Sequence, residues 1–191
     1  METHAAIRVH RLEERKPQEP RVLATFRGQM RPIVGYRPSR PGGQPGQCTF
    51  SRIAWRTGGH LITSQAVLDA FAERINTRTY SKCSSHKTRP IDVPLKRHVI
   101  DWSSQFLVVI VASQPFAEFT LDGVERRYLE CNVTASASDS KALSAPVGLK
   151  AFSAWVIGGH RGMPTLERMV LTIDGTQTSV LANAGPQESE T

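Results

Sequence analysis

The run Phe106-Leu107-Val108-Val109-Ile110-Val111-Ala112 is the longest uninterrupted apolar stretch of the chain, and it limits the fold more than any other feature. Seven residues fall far short of the roughly 20 that a spanning helix needs, so the run is not a transmembrane segment. A strand apolar at successive positions buries both faces, which makes this run the central strand and the heart of the core. At 191 residues the chain is sized for one domain. Its 39% hydrophobic and 21% charged content fits a globular protein.

Other elements are read around that strand. Val67, Leu68, Phe71, Ala72 and Ile75 fall on one stripe of a 3.6-residue period, predicting an amphipathic helix over Thr63–Asn76. Thr63 or Ser64 can cap it; with Thr63 in that role, Ile62 and Val67 form a hydrophobic staple. Thr49 to Trp55 reads as a strand closed by Gly58-Gly59. Asp122-Gly123 and Asp174-Gly175 each stand between alternating runs and predict two hairpins. Ala135 to Ala145 reads as a Ser/Ala-rich surface loop. Tyr36 to Gly46 is dominated by Pro and Gly and reads as a linker. The expected fold is α+β, one mainly antiparallel sheet with one helix. Residues 1–47 are expected to be a disordered basic arm and Pro/Gly linker, 48–182 the folded domain, and 183–191 a frayed polar tail.

Charge is segregated along the chain. Residues 1–98 hold 18 Lys and Arg against 7 Asp and Glu, a balance of +11, whereas residues 99–191 hold 6 against 10, a balance of −4. Such asymmetry favours an anionic partner, and it permits self-association between unlike patches. The stretch Tyr80 to His98 carries Lys82, His86, Lys87, Arg89, Lys96, Arg97 and His98 against the single acid Asp92, and Pro90 and Pro94 mark it as an irregular loop. Lys82, Lys87, Arg89, Lys96 and Arg97 are the candidate anion-binding residues for lipid or RNA, joined by Arg8, Arg11, Arg15 and Lys16 of the arm.

Catalytic signatures are missing from the sequence. There is no nucleophile elbow, P-loop, zinc-protease helix or dinucleotide fingerprint, so an enzyme is not expected. Cys48, Cys83 and Cys131 are scattered and odd in number, which argues for a reducing compartment. With no apolar leader at Met1 to Ala5, an intracellular protein is expected. Trp55-Arg56-Thr57-Gly58-Gly59-His60 recurs in kind as Trp155-Val156-Ile157-Gly158-Gly159-His160. A strand ending in a Gly-Gly turn accounts for both copies better than a two-His metal site, because a catalytic zinc takes three protein ligands. No metal or cofactor is expected.

The order of these features is a basic arm, a Pro/Gly linker, a strand at Phe50 to Trp55, the capped helix, the basic loop, the apolar strand, and a late strand at Thr165 to Asp174. In that order the chain resembles the small matrix proteins of rhabdoviruses and related negative-strand RNA viruses. It lacks the Pro-Pro-x-Tyr sequence that many animal-virus members use for budding, which suits a plant-virus or other divergent member better. The resemblance implies a non-enzymatic viral structural protein of the virion, the host cytoplasm or the inner face of a membrane. Such a protein binds an anionic membrane surface and the viral ribonucleoprotein and self-assembles. The alternative is an RNA-binding viral protein such as a movement protein, silencing suppressor or capsid subunit.

Overall fold

A computed structural model describes residues 19–30, 34–37, 47–50, 56–75, 94–112, 117–138, 150–159 and 164–184. It is built of β1 (Arg21–Met30), β2 (Val34–Arg37), β3 (Gln47–Phe50), β4 (Gly58–Ile62), α1 (Gln65–Ile75), α2 (Pro94–Arg97), β5 (Gln105–Val111), β6 (Glu118–Arg127), β7 (Glu130–Ser138), β8 (Lys150–Gly158), β9 (Arg168–Ile173) and β10 (Thr176–Leu181). One four-stranded sheet runs β1-β8-β5-β4 and a second runs β10-β9-β7-β6, with β2 and β3 forming a separate ribbon. The α+β class holds, but the single sheet expected from sequence is two.

The first sheet is the middle layer of three. Along β5, Phe106, Val108 and Ile110 enter one core with Cys131, Val133, Met169 and Leu171 of the second sheet. The alternate residues Leu107, Val109 and Val111 enter the other core with Leu68 and Phe71 of α1 and Leu95 of α2. Strand β8 divides likewise, sending Trp155 and Ile157 to one side and Phe152, Ala154 and Val156 to the other. Uniform apolarity of β5 is thus the signature of a strand covered on both faces, by a sheet and by a helical layer. Ser153 is the buried polar exception on β8, and its Oγ accepts the N–H of Phe119 across the two sheets at 3.3 Å.

Several boundaries differ from expectation for identifiable reasons. The ordered sheet begins at Arg21 rather than Cys48: β1 pairs with β8 from Arg21↔Gly158 to Met30↔Lys150 and sets Ala24 and Phe26 against the helix-side core. At the two ends of the expected linker, Val34–Arg37 pairs with Gln47–Phe50, while 38–46 and 51–55 lie outside the described residues. Asp122-Gly123 makes no hairpin. Strand β6 runs through it with a register shift between Leu121 and Gly123, and the chain turns instead at Tyr128-Leu129, with Tyr128 at φ 51°. The irregularity moves the core-facing set from odd positions, Phe119 and Leu121, to the even position Val124, so one strand keeps its apolar side inward along its length. At Asp174-Gly175 the expected hairpin is present, with φ of 47° and 82° as a type I′ turn requires.

Helix α1 takes Ser64 as its N-cap, since the Ser64 carbonyl accepts the first helical bond from Leu68. Thr63 is drawn elsewhere. Its N–H donates to Asn183 Oδ1 at 2.9 Å and its Oγ1 accepts from Asn183 Nδ2 at 2.8 Å, while Ile62 and Val67 join the same helix-side core. The same pair of bonds ties Asn183 into the fold, and the expected tail boundary at 183 comes too early. Part of the expected surface loop, Ala135 to Ser138, is strand β7. Part of the expected basic loop is helical as well, for Pro94 opens α2 and Leu95 is fully buried. Proline suits a first helical position, where no N–H is required.

Candidate functional site

Of the candidate anion-binding residues, Arg8, Arg11, Arg15, Lys16, Lys82, Lys87 and Arg89 lie outside the described residues, as does the Lys96 side chain. Arg97 is exposed on α2, which Leu95 anchors to the helix-side core. The next residue, His98, sets its ring edge-on to Phe26 of β1, with centroids 5.3 Å apart. Val99 then projects into solvent at 89% exposure. On the neighbouring β1, exposed Arg21 likewise precedes Val22 and Leu23, both exposed.

Register shows that most of the exposed apolar side chains share one end of the two sheets. Arg21 pairs with Gly158, and Gly158 with Gln105, so the start of β1 and the start of β5 share one end of the first sheet. The same end receives the Tyr128 turn and Leu181, because Leu181 pairs with Arg168, Arg168 with Glu130, and Ala182 bridges Leu61 of β4. Val22, Leu23, Tyr128 and Leu181 therefore occupy one end of the sandwich, and Val99 lies on the stretch leading into it. These five are the exposed large hydrophobics of the described residues. Two acids here are paired: Glu130 with Arg168, and Glu125 at 3.8 Å from Arg127; Glu167 is exposed beside them.

A cleft of about 230 Å³ opens at this end, lined by Thr63, Trp102, Ser103, Gln105, Arg126 and Thr165 among others. It is smaller than the roughly 300–1,000 Å³ of ordinary ligand pockets. The Asp101 carboxylate organises one wall, accepting from Ser103 Oγ at 2.6 Å and Ser104 Oγ at 2.7 Å. Both hydroxyl hydrogens point at that carboxylate, so the serines offer the cleft lone pairs, a poor lining for an anion. Trp102 Nε1 donates to Gln65 Oε1 of α1. Arg126, which sequence reasoning overlooked, donates to the carbonyls of Pro164 and Tyr128, and burial lowers the pKa of its guanidinium. The available signal was phase: Arg126 follows Val124 by two residues and faces inward on β6.

The two Gly-Gly pairs do not meet. Gly58 pairs with Val111 and Gly158 with Gln105, placing them at opposite ends of β5, about 20 Å apart along the strand. Their roles are exchanged. In the first pair Gly58 takes φ 117° and a Cβ on Gly59 would lie 2.3 Å from Leu171 Cδ2, whereas in the second a Cβ on Gly158 would lie 2.5 Å from Leu23 Cδ1 and Gly159 takes φ 109°. The first pair opens a strand, contrary to the expected closing turn, and the second ends one. His160 lies outside the described residues, and among those described no three His, Cys, Asp or Glu gather as a metal would need. The Cys131 thiol is pushed up to about 12 by burial, so it stays protonated at neutral pH.

His60 is buried on β4, with Nε2 2.8 Å from the Arg56 carbonyl. Burial lowers its pKa below the usual 6.5, outweighing the opposing effect of that hydrogen bond. Because the folded state resists protonation that the unfolded chain accepts, stability is full above about pH 6.5 and declines as pH falls below it. Urea midpoints at pH 7.5 and 5.5 are expected to differ more for the wild type than for His60→Asn; equal differences would remove His60 as the cause.

Comparison of the chain with family models, with curated proteins and with solved structures finds no match. Among the described residues no helix is long and apolar enough to cross a membrane.

Proposed function

We propose that this is a non-enzymatic matrix-type structural protein of a virus, which binds an anionic membrane surface and ribonucleoprotein and self-associates during assembly. The observation that carries the reading is that the exposed apolar side chains Val22, Leu23, Tyr128 and Leu181 share one end of the sandwich, with Arg21 directly before Val22 and Arg97 two residues before exposed Val99. Basic groups held near acidic headgroups while short apolar side chains reach below them suit a bilayer surface, which is bound firmly only when both signals act. The basic stretch Lys82 to Arg97 ends two residues before Val99 and adds to the first signal. RNA offers phosphates to the same cations but little to Val22, Val99 or Leu181, so the apolar end favours lipid as the anion.

Flotation with vesicles tests this. The protein is expected to rise with vesicles containing phosphatidylserine, to stay behind with phosphatidylcholine alone, and to be released by raised salt. Equal recovery on both vesicle types, or on neither, would refute the membrane assignment.

A further inference from the structure

The four outer strands of the two sheets differ in how they are protected. Strand β1 carries Arg21 and Arg27 and a register shift between Val22 and Ala24. Strand β6 carries five charged side chains, Glu118, Asp122, Glu125, Arg126 and Arg127, with its own register shift at Asp122, and Glu118 closes toward β1 through an ion pair with Arg27 at 2.8 Å. Strand β4 has Ala182 and Asn183 seated against Leu61. Charges, bulges and covering segments are the usual ways of preventing an edge from pairing with another chain. Strand β10, Thr176-Gln177-Thr178-Ser179-Val180-Leu181, carries no charge, proline or glycine, its ladder to β9 is regular, and all but Val180 are exposed; among the described residues its edge is covered at its C-terminal end, where Ala182 and Asn183 meet Leu61 of β4, and is open from Thr176 to Ser179.

We infer that β10 is the self-association surface of the protein and that its occupant is β10 of a second copy, paired antiparallel about a twofold axis. The inference rests on the self-association in the proposed function and names where it occurs. Charge argues for a second copy: twofold pairing sets each strand against itself, and an uncharged strand meets itself without the repulsion that opposed like charges bring. Backbone direction fixes the register. Ala182 donates inward to Glu167 and Asn183 outward to Leu61, so by alternation Gln177 and Ser179 direct their N–H and C=O groups outward. Pairing Gln177 with the partner's Ser179 uses those groups and leaves the corner at Ala182 and Asn183 undisturbed. Thr178 then faces Thr178 of the second copy, and Thr176 faces Val180. One strand pair is a small interface, so association is weak and depends on concentration. The twofold axis turns the Tyr128 ends in opposite directions, so one copy can meet a bilayer while the other faces away from it.

Sedimentation of the full chain over a wide concentration range gives the test. Wild-type mass is expected to rise with concentration; Thr178→Lys, which opposes two cations on the axis, is expected to weaken association at least about tenfold. Mixing Thr178→Lys with Thr178→Glu is expected to restore it. With Cys48 and Cys83 replaced by Ser, Thr178→Cys is expected to form an intermolecular disulfide under copper–phenanthroline, because facing residues at a non-hydrogen-bonded position lie about 4.5 Å apart at Cα. Gln177→Cys, offset to about 8 Å from its own copy, is not. If Thr178→Lys associates as the wild type does, the β10 edge is wrong while self-association stands; a wild type that stays monomeric throughout overturns both.

Discussion

Replacing Lys82, Lys87, Lys96 and Arg97 together with Glu is expected to weaken binding to phosphatidylserine vesicles by at least about a thousandfold. A Lys or Arg held near an acidic bilayer contributes about 1 kcal/mol, so removing four cations costs about 4 kcal/mol, and tenfold in affinity corresponds to about 1.4 kcal/mol. Reversal goes further than removal, since each new carboxylate is repelled by the surface. The wild-type affinity should fall steeply with salt, because the Debye length shortens from about 10 Å at 0.1 M to about 3 Å at 1 M. The variant should show almost no salt dependence. Leu95, which anchors α2, is untouched, so the far-ultraviolet spectrum and urea midpoint are expected to remain those of the wild type. A folded variant that binds vesicles as tightly as the wild type would locate the membrane contact elsewhere. Retention on RNA, measured in parallel, separates the two anions: loss of RNA binding with flotation intact would favour the RNA-binding reading.

Much of the strand-rich core could be read locally, because its signals are local. The apolar run became β5, and Asp174-Gly175 became a hairpin because both of its residues can adopt positive φ. Asp122-Gly123 carries the same dipeptide, yet Leu121 pairs with Ala135 and Gly123 with Thr134, so the strand continues past it. What separates the two cases is phase, an odd set of inward residues followed by an even one, and that is visible only once the partner strand is known. Strand β1 shows locally only as the short apolar-leaning stretch Arg21 to Phe26, broken by Arg27 and Gly28; it is an outer strand with one side covered. Thr63 looks like a cap in any local reading, and its partner Asn183 is 120 residues away. The candidate site was legible only in part. Basic residues announce themselves by type, but the placing of Val22, Tyr128 and Leu181 at one end is a product of register across both sheets.

Phe152→Ala is expected to destabilise the protein by about 3–5 kcal/mol, a large share of the 5–15 kcal/mol that typically separates folded from unfolded states. Its ring lies in the core between the first sheet and the helical layer, packed edge-on to Phe71 with centroids 5.6 Å apart and planes at 89°. Such a pair adds about 0.5–1.5 kcal/mol beyond the area it buries. The ring also reaches β1, where Gly28 is the residue directly opposite Phe152. A Cβ at position 28 would stand 2.7 Å from Phe152 Cε1, so the glycine is there to admit the ring. Gly28→Ala alone should therefore cost about 1–3 kcal/mol through overpacking. Combined with Phe152→Ala, the same methyl group enters the space the ring has left and should cost little, making the double variant more stable than the two separate losses imply by about 1 kcal/mol or more. Urea unfolding followed through Trp155, buried in the adjoining core, measures all four proteins. If the two losses simply add, Gly28 is not shaped by Phe152, and the outer strand is held to the sheet by its backbone ladder rather than by the ring lying across it.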